Sequence, residues 1–395
     1  LKAARDRLAG WLGLAVHRLA RLARRLPAGG TRDPLRLAVV CDAFLHVGCP
    51  QAISLSQTGL EVTLYYVDRG SDFTGSEEDR ERMLDRVRAH GIQTVPVPRL
   101  RPAAVLSHAL WLRRDLRKRA VATLVVHAHG DPRYATLGLG LPVALIVHDP
   151  QTHSGDTLSM PPLPIRIVAR FAEVSASCLI VHSECLVGQM RPLLRRLPVG
   201  VTPLGIDVAP APAAVPNGRR LLLFGRLFAY KGVDTALDAF ALLRERLPDV
   251  ELLVAGRGPL AGAARGQSGV EVREEYISEE EIGQLLGQAR LVLLPYKDAT
   301  QSGVGLQAVA CGVPTVVTRT GGLPDLVPDT AQGLIVAPDE PRALAEAIAD
   351  HIDHGDELRA AVHAHAGEHF AFPVAARRLR EELARLGVLS DGDEL

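Results

Sequence analysis

The chain has 395 residues, 47% of them hydrophobic, and 45 basic side chains balance 45 acidic ones. Length and apolar content suffice for two or three packed domains, which excludes a disordered chain. Zero formal net charge argues against a globally basic nucleic-acid-binding surface, and the longest charge-free stretch, 299–318, holds Thr300, Gln301, Ser302, Gln307 and Pro314, too polar to span a bilayer.

The first predicted element is a basic amphipathic helix. Over residues 1–26, Leu8, Trp11, Leu12, Leu19, Leu22 and Leu26 recur at helical spacing, and Lys2, Arg5, Arg7, Arg18, Arg21, Arg24 and Arg25 face only Asp6. Pro27 and Gly29–Gly30 end it, so residues 1–30 form a separate N-terminal unit. The segment lacks a continuous apolar stretch followed by a small-residue cleavage site, so it is not read as a signal peptide. Membrane-surface binding by this helix is expected, with packing of its leucines on the first domain as the plainer reading.

Short β-branched runs then alternate with helical stretches. LRLAVV, EVTLYYV, TVPV, TLVVHA, VALIVHD, CLIVHS and GVTPL are predicted strands, and SEEDRERMLDRVRAH and PAAVLSHALWLRRDLRKR are predicted helices between them. A Pro- and Ala-rich linker at 207–218 separates this unit, 35–206, from a second one at 219–372. The second unit carries RLLLFGR, VELLVAG, VEVREEY, LVLLPY, PTVVTR and GLIVAP, with helices such as VDTALDAFALLRERL and SEEEIGQLLGQAR. A C-terminal helix and tail occupy 373–395. The pattern is that of two Rossmann-like α/β domains, each with a parallel sheet, whose strand-end loops face an interdomain cleft.

Five cysteines, Cys41, Cys49, Cys178, Cys185 and Cys311, show neither a CxxC pair nor metal-ligand spacing, which fits a reducing cytoplasm. The most informative segment is FGRLFAYKG at 224–232. It leaves a strand at Gly225, carries Arg226 and Lys231, and enters a helix near Val233, a combination suited to a diphosphate. A solvated turn with surface charges is the plainer alternative.

From this segment onward the chain resembles glycosyltransferase family 4, nucleotide-sugar-dependent enzymes of the two-domain GT-B fold. GRLFAYKG is followed in family order by VELLVAGRGPL, YISEEEI, LVLLPY and ACGVPTVVTRTGGLPDLV. HAHGD, LIVHD, IVHSE and VTPLGID carry a looser likeness in the first half. The resemblance implies that Arg226 and Lys231 stabilise the donor diphosphate as it leaves. It implies that Gln301, Ser302, Gly303 and Val304 offer backbone amides to phosphate and sugar, that Tyr276 and Ile277 pack on the base, and that His148 approaches the transferred sugar. It further implies retention of configuration, no cofactor beyond the nucleotide sugar itself, no metal, and a lipid-linked or polysaccharide acceptor hydroxyl.

One departure stands out. The family usually carries two glutamates with seven residues between them, and Ala299 and Gln307 occupy those positions. Gln307 retains donors and acceptors for ribose hydroxyls, whereas Ala299 has none. A catalytically silent nucleotide-sugar-binding protein, or a phosphorylase or epimerase of the same fold, are the alternatives this leaves open.

Other signals carry less weight. GRGPLA at 256–261 fits a dinucleotide fingerprint superficially, but Pro259 removes an amide that a pyrophosphate needs. His127 and His129, with Asp131 nearby, could ligate a metal, although hydrogen-bonded strand-end histidines are the commoner outcome. His153, Ser154 and Asp156 are candidate acceptor contacts in a polar loop. His182, Ser183 and Glu184 have the residue types of a hydrolase triad, yet consecutive residues do not converge on one atom.

Overall fold

The computed structural model describes residues 35–41, 45–67, 77–99, 104–127, 137, 140–148, 175–190, 196–353 and 355–389. The basic segment 1–30, His129, Asp131, His153, Ser154 and Asp156 lie outside the described residues.

Every predicted strand forms. In the first domain these are β1 (Arg36–Cys41), β2 (Glu61–Val67), β3 (Gln93–Val97), β4 (Thr123–His127), β5 (Val143–Ile146), β6 (Cys178–Val181) and β7 (Val199–Val201). They build one parallel sheet in the order β3-β2-β1-β4-β5-β6-β7. Strands β4, β5 and β6 are buried at every residue, as expected of a parallel sheet covered on both faces. Helices α1 (Leu45–Ser56) and α2 (Glu77–Ala89) contribute to the core on one face, and α3 (Val105–Lys118) and the short α4 (Glu184–Val187) to that on the other. Glu77, Glu78 and Asp79 open α2 and Arg86 and Arg88 close it, matching the helix dipole. Helix α1 escapes sequence reading because Gly48 and Pro50 lie inside it and most of its side chains are buried, which erases the polar face a helical period needs.

The second domain holds β8 (Arg220–Phe224), β9 (Glu251–Ala255), β10 (Val270–Arg273), β11 (Leu291–Leu294), β12 (Thr315–Thr318) and β13 (Ile335–Val336), again parallel, in the order β10-β9-β8-β11-β12-β13. Helices α5 (Val233–Arg246), α6 (Glu279–Gln288), α7 (Gly303–Ala310), α8 (Pro341–His351) and α9 (Asp356–His369) accompany this sheet. Ser278 and Glu281 cap α6 reciprocally. In both sheets the strand order reverses beside the first strand, between β1 and β4 and between β8 and β11, the place where open parallel sheets bind ligands beyond the carboxyl ends of their strands.

The last helix, α10 (Phe372–Arg385), returns to the first domain. Ala376, Leu379, Leu383, Val388 and Leu389 are buried in the same cluster as Leu37, Leu55 and Leu64, and the Thr123 hydroxyl donates to the Val388 carbonyl at 2.7 Å. Ile206 and Ala371 pair as an isolated bridge where the two crossings lie side by side.

Candidate active site

The cation loop leaves β8 at the point where strand order reverses. Gly225 N–H donates to the Ala255 carbonyl and Leu227 N–H to the Arg257 carbonyl, so the loop lies on the one that follows β9. A Cβ on Gly256 would overlap the Gly225 carbonyl oxygen, and its φ is +131°. The glycines of GRGPLA thus serve close approach of two backbones.

Residues 229–231 make one turn of 3-10 helix, and Gly232, at φ +65°, starts α5. This turn lays the Lys231 ammonium over the ring of Tyr296, 3.8 Å from its centroid. Arg226 Nη2 donates to the Tyr230 hydroxyl at 3.4 Å. Among the described residues neither cation is ion-paired, whereas the neighbouring Lys297 binds Asp234 at 2.7 Å and Asp339 at 2.8 Å. Burial, reinforced by the positive charge of Arg226 and opposed by Tyr230, pulls the Lys231 ammonium down to about 8. Two neighbouring cations without a counter-charge form a site for an anion.

The facing loop follows β11. Ser302 is buried, and its hydroxyl caps α7 by accepting from Gly305 N–H at 3.1 Å while lying 3.2 Å from the Tyr296 hydroxyl. The Ser302 side chain is therefore engaged, and what this loop offers a ligand is backbone. Gly303 is exposed with open space above its Cα, and Val304 lies against Gly225. Gln301 Nε2 donates to the His182 carbonyl at 3.2 Å, joining this loop to the first domain. Gln307 is half-buried on α7, and Ala299 is buried, its carbonyl packed against Gly321. Tyr276 exposes 55% of its surface, while the side chain of Ile277 belongs to the core.

Across the cleft, His148 follows β5 and is buried between two other histidines. His127 Nδ1 lies 3.0 Å from His148 Nε2, and His182 Nε2 lies 3.2 Å from His148 Nδ1. Gln51 and Thr202 belong to this cluster and were not singled out by sequence, and His182 was weighed there only within a run of three consecutive residues. A signal existed in the recurring VVH, IVH and IVH at the ends of β4, β5 and β6. His127 turns toward Gln51 and His148, and among the described residues no group of three or more potential ligands is placed to hold a metal.

Two parallel Rossmann-like sheets with cations and histidines at their facing strand ends define a GT-B fold. Structures of that kind superpose on most of the chain: Anabaena Alr3699/HepE in complex with UDP-glucose matches 89% of this chain and 100% of its own at TM-score 0.62 and 16% identity. Sucrose-phosphate synthase from Thermosynechococcus elongatus matches 89% and 99% at TM-score 0.62 and 15% identity. Residues 218–354, which make up most of the second domain, match the family described as Glycosyl transferases group 1. Sequence relatives are glycosyltransferases. D-inositol 3-phosphate glycosyltransferase of Arthrobacter sp. (strain FB24) is 33% identical over 159 residues, 35% of this chain and 38% of that protein. The GDP-mannose-dependent alpha-(1-6)-phosphatidylinositol dimannoside mannosyltransferase of Mycobacterium tuberculosis (strain ATCC 25177 / H37Ra) is 28% identical over 248 residues, 58% of this chain and 64% of that protein. The chain thus spans less than two thirds of the length of these relatives.

Proposed function

We propose that the protein transfers a sugar from a nucleoside diphosphate to a hydroxyl of a lipid-linked or polysaccharide acceptor, with retention of configuration. The observation that carries this reading is the pair Arg226 and Lys231, two cations without a carboxylate partner among the described residues at the point of strand-order reversal. Breaking the bond between C1 and the diphosphate oxygen leaves positive charge on the sugar ring and negative charge on the leaving group. Arg226 and Lys231 stabilise the latter in place, with no reorganisation at the moment of reaction. The acceptor oxygen then bonds to C1 from the face the diphosphate leaves, and its proton passes to a diphosphate oxygen. Tyr276 offers an exposed ring to the base, and the backbone of Gly225, Ser302, Gly303 and Val304 borders the diphosphate position. Screening UDP-, GDP- and ADP-sugars by thermal shift and by product formation tests the reading. A chain that binds a nucleotide sugar and never transfers it is the catalytically silent protein that Ala299 and Gln307 leave open.

Because the two cations take the part that a divalent ion plays elsewhere, transfer is expected to survive exhaustive EDTA treatment. Activity lost to chelator and restored by Mg²⁺ or Mn²⁺ overturns that part of the mechanism.

The acceptor class is supported by the surface of α3. Leu106, Leu110 and Trp111 are 69, 50 and 38% exposed, and Arg114, Arg117 and Lys118 continue the exposed face toward the helix end. Apolar side chains that insert and cations that contribute about 1 kcal/mol each at an anionic surface suit peripheral binding to a cytoplasmic leaflet. No helix among the described residues is long and apolar enough to cross a membrane. Leu110→Glu combined with Trp111→Glu is expected to weaken sedimentation with phosphatidylglycerol-containing vesicles at least about tenfold and to leave turnover of a water-soluble acceptor unchanged. Equal vesicle binding by the variant removes α3 from the membrane contact.

A further inference from the structure

The carboxyl edge of the first sheet carries more than a single histidine. His127 ends β4, His148 follows β5 and His182 follows β6, three strands adjacent in the sheet, and their rings form one hydrogen-bonded row. Successive ring centroids are 5.3 and 5.0 Å apart. An oxygen closes each end: Gln51 Oε1 lies 2.7 Å from His127 Nε2, and the Thr202 carbonyl lies 3.1 Å from His182 Nδ1. All six ring nitrogens therefore take part.

Among the described residues the row contains four hydrogen bonds, each needing one proton, and a carbonyl oxygen at either end only accepts. Three neutral imidazoles carry one N–H each, one proton too few. The geometry closes with one further proton in the row, or with the Gln51 amide turned to present its NH2. Burial opposes a charge here, but hydrogen bonding of every N–H and its spread over three rings offset that cost.

The row also meets the opposite domain. The His182 carbonyl accepts from Gln301, and the next residue, Ser302, touches Tyr296, on whose ring Lys231 rests. Contacts thus run without a break from the cation loop to the histidines.

We propose that His127 and His182 are positioning residues which hold His148 in a row carrying one shared proton, so that His148 meets the substrate as part of a cationic unit. The proposal rests on reading the cleft as the site of an anionic sugar donor, whose leaving diphosphate gains from positive charge on both walls. The proton belongs to the row as a whole and titrates with one apparent value. Among the described residues, the titratable groups on the surrounding elements are Cys41 at the end of β1, His46 and Cys49 on α1, Cys178 on β6, Glu184 and Cys185 on α4, the latter 3.1 Å from the Ser183 hydroxyl, and Asp325, which is hydrogen-bonded to Ser183 beside His182. Burial pushes the Cys49 thiol up to about 12, lowers His46 and raises Asp325, so all three resist carrying charge.

The test is read on the intact, ligand-free chain with 15N-labelled histidine. Long-range 1H–15N correlation near neutral pH is expected to show four ring N–H protons over His127, His148 and His182, one of which leaves all three rings together as pH rises. Gln51→Met removes one terminal acceptor and is expected to reduce the count to three. Three neutral tautomers in the unaltered protein overturn the proposal. In turnover, His127→Phe and His182→Phe are expected to lower kcat at least tenfold, keep the donor KM within threefold and shift the alkaline limb of the pH profile. His182→Asn, which keeps an N–H for Thr202, is expected to recover part of the loss. Folded variants with unchanged kcat and pH profile overturn the positioning role. Because the proton count needs no substrate, it stands or falls separately from the transfer reaction.

Discussion

Lys231→Ala and Arg226→Ala are each expected to fold and to lower sugar transfer at least about a hundredfold, the scale for removing a group that stabilises developing charge. Near wild-type transfer by both variants overturns the diphosphate site. The Lys231 ammonium adds a pH signature. Its folded value of about 8 lies below the ordinary 10.5, so between these pH values the folded chain binds fewer protons than the unfolded chain and this residue's contribution to stability rises with pH. Below that window the fold bears the full cost of holding an ammonium among Tyr230, Tyr296 and Arg226. Lys231→Met is therefore expected to stabilise the chain at neutral pH by about 1 to 3 kcal/mol while abolishing transfer, a site whose function opposes stability. Donor KM is expected to rise above pH 8, where Lys231 loses its charge and only the Arg226 guanidinium remains. Denaturant melts at pH 7 and 9, with donor KM at both, check the sign.

Gly232→Ala is expected to destabilise the second domain by about 2 kcal/mol or more and to remove transfer with it. Gly232 holds φ at +65°, and a Cβ there would overlap the carbonyl oxygen of Pro295, which is backbone that follows β11 and cannot swing aside. Relief requires the turn carrying Lys231 to move. Gly262→Ala is the control, since no atom lies within 4 Å of its Cβ position and no positive φ is required. Equal urea midpoints for the two variants would show that the turn is not held by this contact.

Much of the site was legible because it is built from contiguous residues. A strand, Gly225, Arg226, the 229–231 turn, Lys231, Gly232 and a helix form one local unit of the candidate site, and its residue types show in chain order. The loop at 301–304 was legible by resemblance as a backbone site. The Ser302 hydroxyl caps the helix through Gly305, three residues on, but its contact with Tyr296 and the reach of Gln301 to His182 depend on neighbours six and 119 residues away. Ile277 likewise stands beside exposed Tyr276 but packs inward, a choice made by the core it meets.

By itself the sequence determined the two α/β units and all thirteen strands, because burial on both faces of a parallel sheet writes itself as short, nearly continuous apolar runs, a local property. Tertiary structure alone decided that α10 crosses back to close the first domain's core, and that Gln51, His127, His148, His182 and Thr202 become one row. Both depend on which strands become neighbours. The order β1-β4-β5-β6 aligns the ends of segments that run from Cys41 to Val181 in the chain, and no local hydrophobic period encodes that order. A histidine at a strand end is visible in the sequence; the partner that fixes its proton is supplied by the next strand over.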